Sequence, residues 1–243
     1  MSTRTVVSRE DWNAAREELL TREKAVTKAR DEVNALRRGL PVVEITEDYV
    51  FDTPDGPRSL GDLFDGRGQL VVYHFMFDTD RPAPSQPSPP EGCVSCSHVA
   101  DSIGHLAHLH ARDTTLVMVS RAPLAAIEEF KARMGWTVPW VSSAGSDFNH
   151  DFTATVETEQ YAGEIPGVSV LVRDGDRILL SYWTSGRGLD HLIATYAWLD
   201  LTPGGRQEGW DGMPDLGGKG LGWLRHHDRY TEPAAAASCC GGS

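Results

Sequence analysis

The sequence predicts an α/β fold, a central mixed sheet flanked by helices, with a long N-terminal helix ahead of it. Three observations point there. A heptad-spaced apolar stripe runs from Trp12 to Val33, two strand-then-helix patterns follow each other between Gln69 and Gly135, and two strands joined at Asp174-Gly175 precede a last helix. Strands alternating with helices imply parallel βαβ units, whereas an Asp-Gly joint between two β-rich runs implies an antiparallel hairpin, so the sheet must be mixed.

The first helix opens with Ser8 as a candidate N-cap and with Glu10 and Asp11 in its first turn, and it runs to about Arg38, before Pro41. Trp12, Leu19, Val26 and Val33 recur every seven residues, with Ala15, Ala29 and Leu36 on the neighbouring line and Arg22 interrupting. Such a stripe needs a partner: a second subunit, giving a homodimer through this helix, or the protein's own body. Val42–Ile45 and Tyr49–Phe51 read as short strands, the second followed by a turn at Thr53-Pro54-Asp55-Gly56, and suggest an N-terminal hairpin against the sheet. Ser59–Phe64 is a short helix or turn leading to the strongest strand, Gln69–Phe77.

Between Asp78 and Gly92 lie Pro82, Pro84, Pro87, Pro89 and Pro90, five of the 14 prolines, in a stretch that can neither pair as a strand nor coil as a helix. It reads either as a stiff arm over the site or as a surface insertion. A helix is expected over Ser97–Ala111, where Val99, Ile103 and Leu106 fall at helical spacing, then a strand over Asp113–Ser120. The next helix spans Pro123–Gly135, with proline in its first turn and glycine at its C-terminal cap. Val168–Tyr182 gives the two strands of the hairpin, and Gly188–Trp198 the last helix. The order βαβα then ββα is that of a thioredoxin-like fold. We divide the chain into a helical extension (1–41), the thioredoxin-like domain with its hairpin (42–202), a Gly-rich extension (203–232) and a small-residue tail (233–243).

Composition narrows the function classes. The net charge of -12, from 23 basic and 35 acidic side chains, opposes binding to phosphate backbones and anionic membranes, so no nucleic-acid or membrane partner is expected. Neither a signal peptide nor an apolar run of the ~18 residues a membrane span needs is visible, and a cytoplasmic protein is expected. Four cysteines in 243 residues are too sparse for a disulfide-stapled fold. A close pair in a reducing compartment points to catalysis or metal binding.

That pair is Cys93 and Cys96, in Gly92-Cys93-Val94-Ser95-Cys96, between the strongest strand and the next helix. Unpaired N–H groups at a helix start favour a thiolate, and a cysteine at the head of such a motif can titrate at roughly 3.5–7.5 instead of ~8.5. Cys93 is therefore the expected nucleophile and Cys96 the residue that resolves a mixed disulfide. Pro166, before the hairpin, is the candidate for a cis-proline facing the cysteines, and an imidazolium at His98 would help hold the Cys93 thiolate. A zinc site is the competing reading of two such cysteines, with ligands from His98, Asp101, His105 and His108 or from Cys239 and Cys240. The histidine row reads more simply as a solvated face. Asp147-Phe148-Asn149-His150-Asp151 begins like a calcium loop but carries Phe152 where glycine is required and Thr158 where glutamate is, so an Asx-turn loop is the better reading.

The chain also resembles a family: the thioredoxin-like proteins catalogued as domain of unknown function 899, regarded as dithiol-disulfide oxidoreductases. The phrases that carry the resemblance include Leu60-Gly61-Asp62-Leu63-Phe64, Tyr73-His74-Phe75-Met76-Phe77, Gly92-Cys93-Val94-Ser95-Cys96-Ser97, Gly145-Ser146-Asp147-Phe148-Asn149, Gly167-Val168-Ser169-Val170 and His227-Asp228-Arg229-Tyr230. The resemblance spans nearly the whole chain and implies that Cys93 and Cys96 form the redox pair. The expected activity is dithiol-disulfide exchange on a disulfide-containing protein or small thiol compound, reset by a cellular reductant and needing no cofactor and no metal. Two rivals stay open: a peroxiredoxin-like thiol peroxidase with a sulfenic acid at Cys93, and a non-catalytic module binding a soft metal or a partner.

Overall fold

The computed structural model describes residues 4–79, 91–158, 161–208 and 220–230. The described residues form two compact units, divided between Val42 and Val43. The first is helix α1 (Arg9–Arg38), capped by Ser8, whose side chain accepts the Asp11 N–H, and ending where the Gly39 N–H reaches back to the Leu36 and Arg37 carbonyls. The expected stripe is present but exposed: no residue of α1 is buried, and Trp12, Leu19, Val26 and Val33 each remain half or more accessible.

The second unit is built on a six-stranded mixed sheet. Its strands are β1 (Val43–Ile45), β4 (Gln69–His74), β5 (Thr114–Ser120), β6 (Trp140–Ser142), β9 (Gly167–Asp174) and β10 (Arg177–Ser185), in the order β1-β10-β9-β4-β5-β6. β4, β5 and β6 run parallel, and β9 lies antiparallel to both β4 and β10. The β9–β10 hairpin turns at Gly175, whose φ of 61° is the left-handed conformation an Asp-Gly turn requires.

The expected N-terminal hairpin does not form between the first two strands. β1 pairs with β10 at the sheet edge, and β2 (Val50–Phe51) pairs instead with β3 (Arg58–Ser59) across the Thr53–Gly56 turn. The third parallel strand, β6, and a small hairpin of β7 (Thr155–Glu157) and β8 (Ala162–Glu164) were not foreseen. Each is only three residues long, too short to show a period.

Alternation along β4 creates two cores. Leu70 and Val72 face a layer with Phe51, Phe64, Phe148 and Leu171, while Tyr73 and the following Phe75 face the cysteines, Phe130 and Trp140. Burying aromatic rings of this size stabilises the fold by about 1.5–3 kcal/mol each. The cysteine-bearing helix is shorter than expected. α2 (Val94–Ala100) stops, a turn containing Gly104 follows, and α3 (Ala107–His110) is a separate element. Asp101 at the break is engaged by the Trp136 indole and by His227, both at 2.7 Å, and glycine disfavours continuation by about 1 kcal/mol. Helix α4 (Leu124–Arg133) joins β5 to β6, and the short helix α5 (Phe148–Asp151) follows β6. The last helix comes in two parts, a 3-10 stretch over Gly186–Leu192 and α6 (Ala194–Asp200). The proline stretch, except its first and last residues, and the Cys239-Cys240 tail lie outside the described residues.

Candidate active site

Cys93 and Cys96 meet at the C-terminal end of β4, within one turn of backbone. Cys93 is the N-cap of α2: its Sγ accepts the Cys96 N–H at 3.5 Å, and its carbonyl accepts both the Ser97 N–H at 3.0 Å and the Ser97 hydroxyl at 2.9 Å. Met76, on the segment leaving β4, brackets the pair. Its carbonyl accepts the Cys93 N–H at 3.1 Å, and its own N–H donates to Cys96 Sγ at 3.4 Å. Both residues are buried thiols.

Burial pushes the Cys96 thiol well up, and a negative Cys93 beside it pushes further the same way. Cys96 therefore keeps its proton, and each of the two sulfurs accepts one backbone N–H.

Gly92 sets the approach to this turn. A Cβ there would stand 2.6 Å from the Phe75 ring and 2.9 Å from the Phe130 ring, so only glycine lets the backbone pass under the aromatic layer. The Gly92 carbonyl is bound by His226 Nε2 at 3.0 Å, from the far end of the chain. Glu91, one residue earlier, is held by Arg133 at 2.7 Å and by Arg229.

Pro166 and His98 line the same cavity as Cys96, together with Tyr73. The His98 ring meets Tyr196 and Trp223 edge-on, at 5.2 and 5.7 Å between centroids, and burial lowers its pKa. That shift favours neutral imidazole and works against the imidazolium role expected of it. Asp101 is engaged elsewhere, and His105 and His108 sit exposed with rings 6.4 Å apart. Among the described residues, no group of three His, Cys, Asp or Glu side chains is placed to hold a metal ion.

Sequence reasoning missed Tyr73 and His226. Tyr73 is 2% exposed and its hydroxyl faces Cys96. Burial pushes its ionisation well up, and charge on Cys96 would push it further. The period-two register of β4, which sets Tyr73 on one face with Phe75, was the available signal. His226 carried none, since the segment around it has no period.

A polar layer lies near the β8–β9 junction. Glu164, two residues before Pro166, accepts the Thr155 hydroxyl at 2.5 Å and the Asn149 amide at 3.3 Å. Burial raises its carboxyl to about 7; the Thr155 bond opposes that rise and nearby Asp78 adds to it. His74, on the opposite face of β4 from Tyr73, pairs with Ser169 Oγ at 2.8 Å and stacks on Phe148; burial takes its pKa down to about 3.

Among described residues, no helix is long and apolar enough to cross a membrane. No curated protein matches the chain. Similar solved structures include a cysteine-to-serine mutant of Xanthomonas campestris peroxiredoxin Q, with 18% identity, TM-score 0.44, and coverage of 62% of this chain and 89% of that one. Another is the peroxidoxin BcpB from Mycobacterium tuberculosis, at 18% identity and TM-score 0.41, covering 61% and 91%. A third is a peroxiredoxin-like protein from Aquifex aeolicus, at 13% identity and TM-score 0.41, covering 60% and 76%. The family model described as bacterial protein of unknown function (DUF899) matches residues 1–230, and the chain belongs to that family.

Proposed function

We propose that this protein is a dithiol-disulfide oxidoreductase in which Cys93 attacks and Cys96 resolves. The observation that carries this reading is the meeting of two buried thiols within one turn at the head of α2: Cys93, the N-cap, accepts the Cys96 N–H on its Sγ, and the buried Cys96 retains its proton. The Cys93 thiolate forms a bond to one sulfur of a substrate disulfide, the S–S bond breaks, and the departing thiolate takes up a proton. Cys96 then loses its proton, attacks the Cys93 sulfur and expels the second thiol, which leaves an intramolecular disulfide. Two electrons and two protons pass to the substrate, and an external thiol or dithiol returns them. The chemistry needs no cofactor.

Single substitutions test the assignment. Cys93→Ser abolishes turnover of a disulfide substrate with dithiothreitol as reductant, whereas Cys96→Ser accumulates a mixed disulfide at Cys93, read as added mass that dithiothreitol removes. Full activity in Cys93→Ser would falsify the assignment of roles. Peroxide consumption coupled to oxidation of the pair, in the absence of disulfide reduction, would favour a thiol peroxidase instead.

A further inference from the structure

The cavity beside Cys96 measures about 240 Å³. Its lining is mostly hydrocarbon, from Val99, Leu189, Ile193 and Leu224 among others. Cys96 lines it and Cys93 does not, so a molecule in the cavity meets the sulfur pair from the Cys96 side. Two buried polar side chains stand in the apolar wall: Tyr73, whose hydroxyl faces Cys96, and His98, whose Nδ1 is shut off from solvent and has no hydrogen-bond partner in the fold. Buried polar groups are nearly always paired, and unpaired ones around a cavity are groups an entering molecule can satisfy. The charged lining residues offer little to an ionic ligand. Arg187 and Asp190 face each other at 3.4 Å, and Asp190 also holds Arg206 at 2.9 Å.

From this lining we infer that the cavity receives the apolar alkyl or aryl substituent of a low-molecular-weight organic disulfide, its sulfur against Cys96 and within reach of the Tyr73 hydroxyl. The inference rests on the dithiol-disulfide reading above and names its substrate class. For a disulfide R–S–S–R, Cys93 bonds to one sulfur and the first R–S⁻ leaves and is protonated. The second R–S stays on Cys93 with R in the cavity. As Cys96 attacks Cys93, the second R–S⁻ departs and takes the proton that Cys96 loses, with Tyr73 Oη donating a hydrogen bond to it. The sum is one disulfide reduced to two thiols and the cysteine pair oxidised to a disulfide. Charged disulfides such as oxidised glutathione, and disulfides set in a protein surface, fit this lining poorly.

The test uses the full chain, reduced beforehand, and follows single-turnover oxidation of the cysteine pair by dibutyl disulfide, bis(2-hydroxyethyl) disulfide and oxidised glutathione. Dibutyl disulfide is expected to react roughly tenfold faster or more than either of the others, the discrimination an apolar pocket provides. Ile193→Trp, which fills the cavity, removes that advantage. Equal rates for all three, or glutathione disulfide the fastest, overturn the inference and leave the redox reading standing. No oxidation by any disulfide overturns the redox reading and the inference with it. Dibutyl sulfide, which has no S–S bond, gives a further measurement that needs no variant: saturable calorimetric binding to the reduced wild type is expected, and its absence overturns the cavity assignment. If Ile193→Trp fails to fold, Leu224→Trp fills the same space from the other wall.

Discussion

Glu164 and His74 are buried titratable groups whose pKa values move in opposite senses, and each makes stability depend on pH with its own sign. The Glu164 carboxyl rises from the ordinary 4.5 to about 7 in the fold. Between those values the unfolded chain has lost its proton and the folded chain keeps it, so stability is fully present below 4.5 and is lost as pH rises through 7. The loss amounts to about 3 kcal/mol by pH 8. His74 acts the other way: with its pKa at about 3, the unfolded chain binds a proton below 6.5 that the folded chain refuses, so stability is lost on acidification. Urea unfolding of wild type and Glu164→Gln from pH 4 to 8 separates the two. The difference between the proteins should shift in favour of the variant by about 3 kcal/mol across that range. A pH-independent difference would mean that Glu164 is ionised in the fold. Neither shift was legible in the sequence, because burial of one carboxylate or imidazole depends on which strands meet over it.

At the scale of elements, the turn at Gly92 is the place where packing fixes chemistry. Gly92→Ala should cost about 1–3 kcal/mol of stability, since the new methyl must displace the Phe75 or Phe130 ring. It should also change the alkylation rate of Cys93, whose N–H is anchored to Met76. Gly104→Ala is the control: a Cβ there meets nothing within 4 Å, so it should stay within about 0.5 kcal/mol of wild type. Equal thermal shifts for the two variants would remove the packing argument. The cysteine turn itself was legible from sequence, because a β-branched strand, two thiols and a helical spacing all converge on residues 69–106. The helix end was not. Ile103 and Leu106 kept their apolar spacing past the break, and what ends α2 is a long-range engagement of Asp101 by Trp136 and His227. The β2–β3 pairing shows the same limit. The turn at Thr53–Gly56 was readable, but its second strand, Arg58–Ser59, is two polar residues with no pattern of their own.

At the scale of the whole molecule, residues 224–230 brace the cysteine turn from 134 positions away in sequence, measured between His226 and Gly92. Read as sequence, His227-Asp228-Arg229-Tyr230 entered only as part of the family resemblance, with no role assigned to it. In the fold His226, 2% exposed, binds the Gly92 carbonyl, meets the Phe130 ring edge-on and touches Arg133, which in turn holds both Glu91 and Asp228. Arg229 closes the cluster on Glu91. The sheet positions the cysteine pair from one side, and this segment fixes the peptide just before it from the other. Removing the imidazole in His226→Ala leaves a cavity against Phe130 and an unpaired Gly92 carbonyl, which together should cost about 2–4 kcal/mol. His227→Ala, on a side chain 44% exposed and bound to Asp101, should cost no more than about 1 kcal/mol. Global stability alone does not identify a brace, so the decisive reading is local. Amide exchange at Cys93 and iodoacetamide alkylation of its thiol, measured in a Cys96→Ala background far below the unfolding midpoint, should both accelerate in His226→Ala and not in His227→Ala. Unchanged exchange at Cys93 alongside a lowered midpoint would make His226 a core residue with no hold on the cysteine turn.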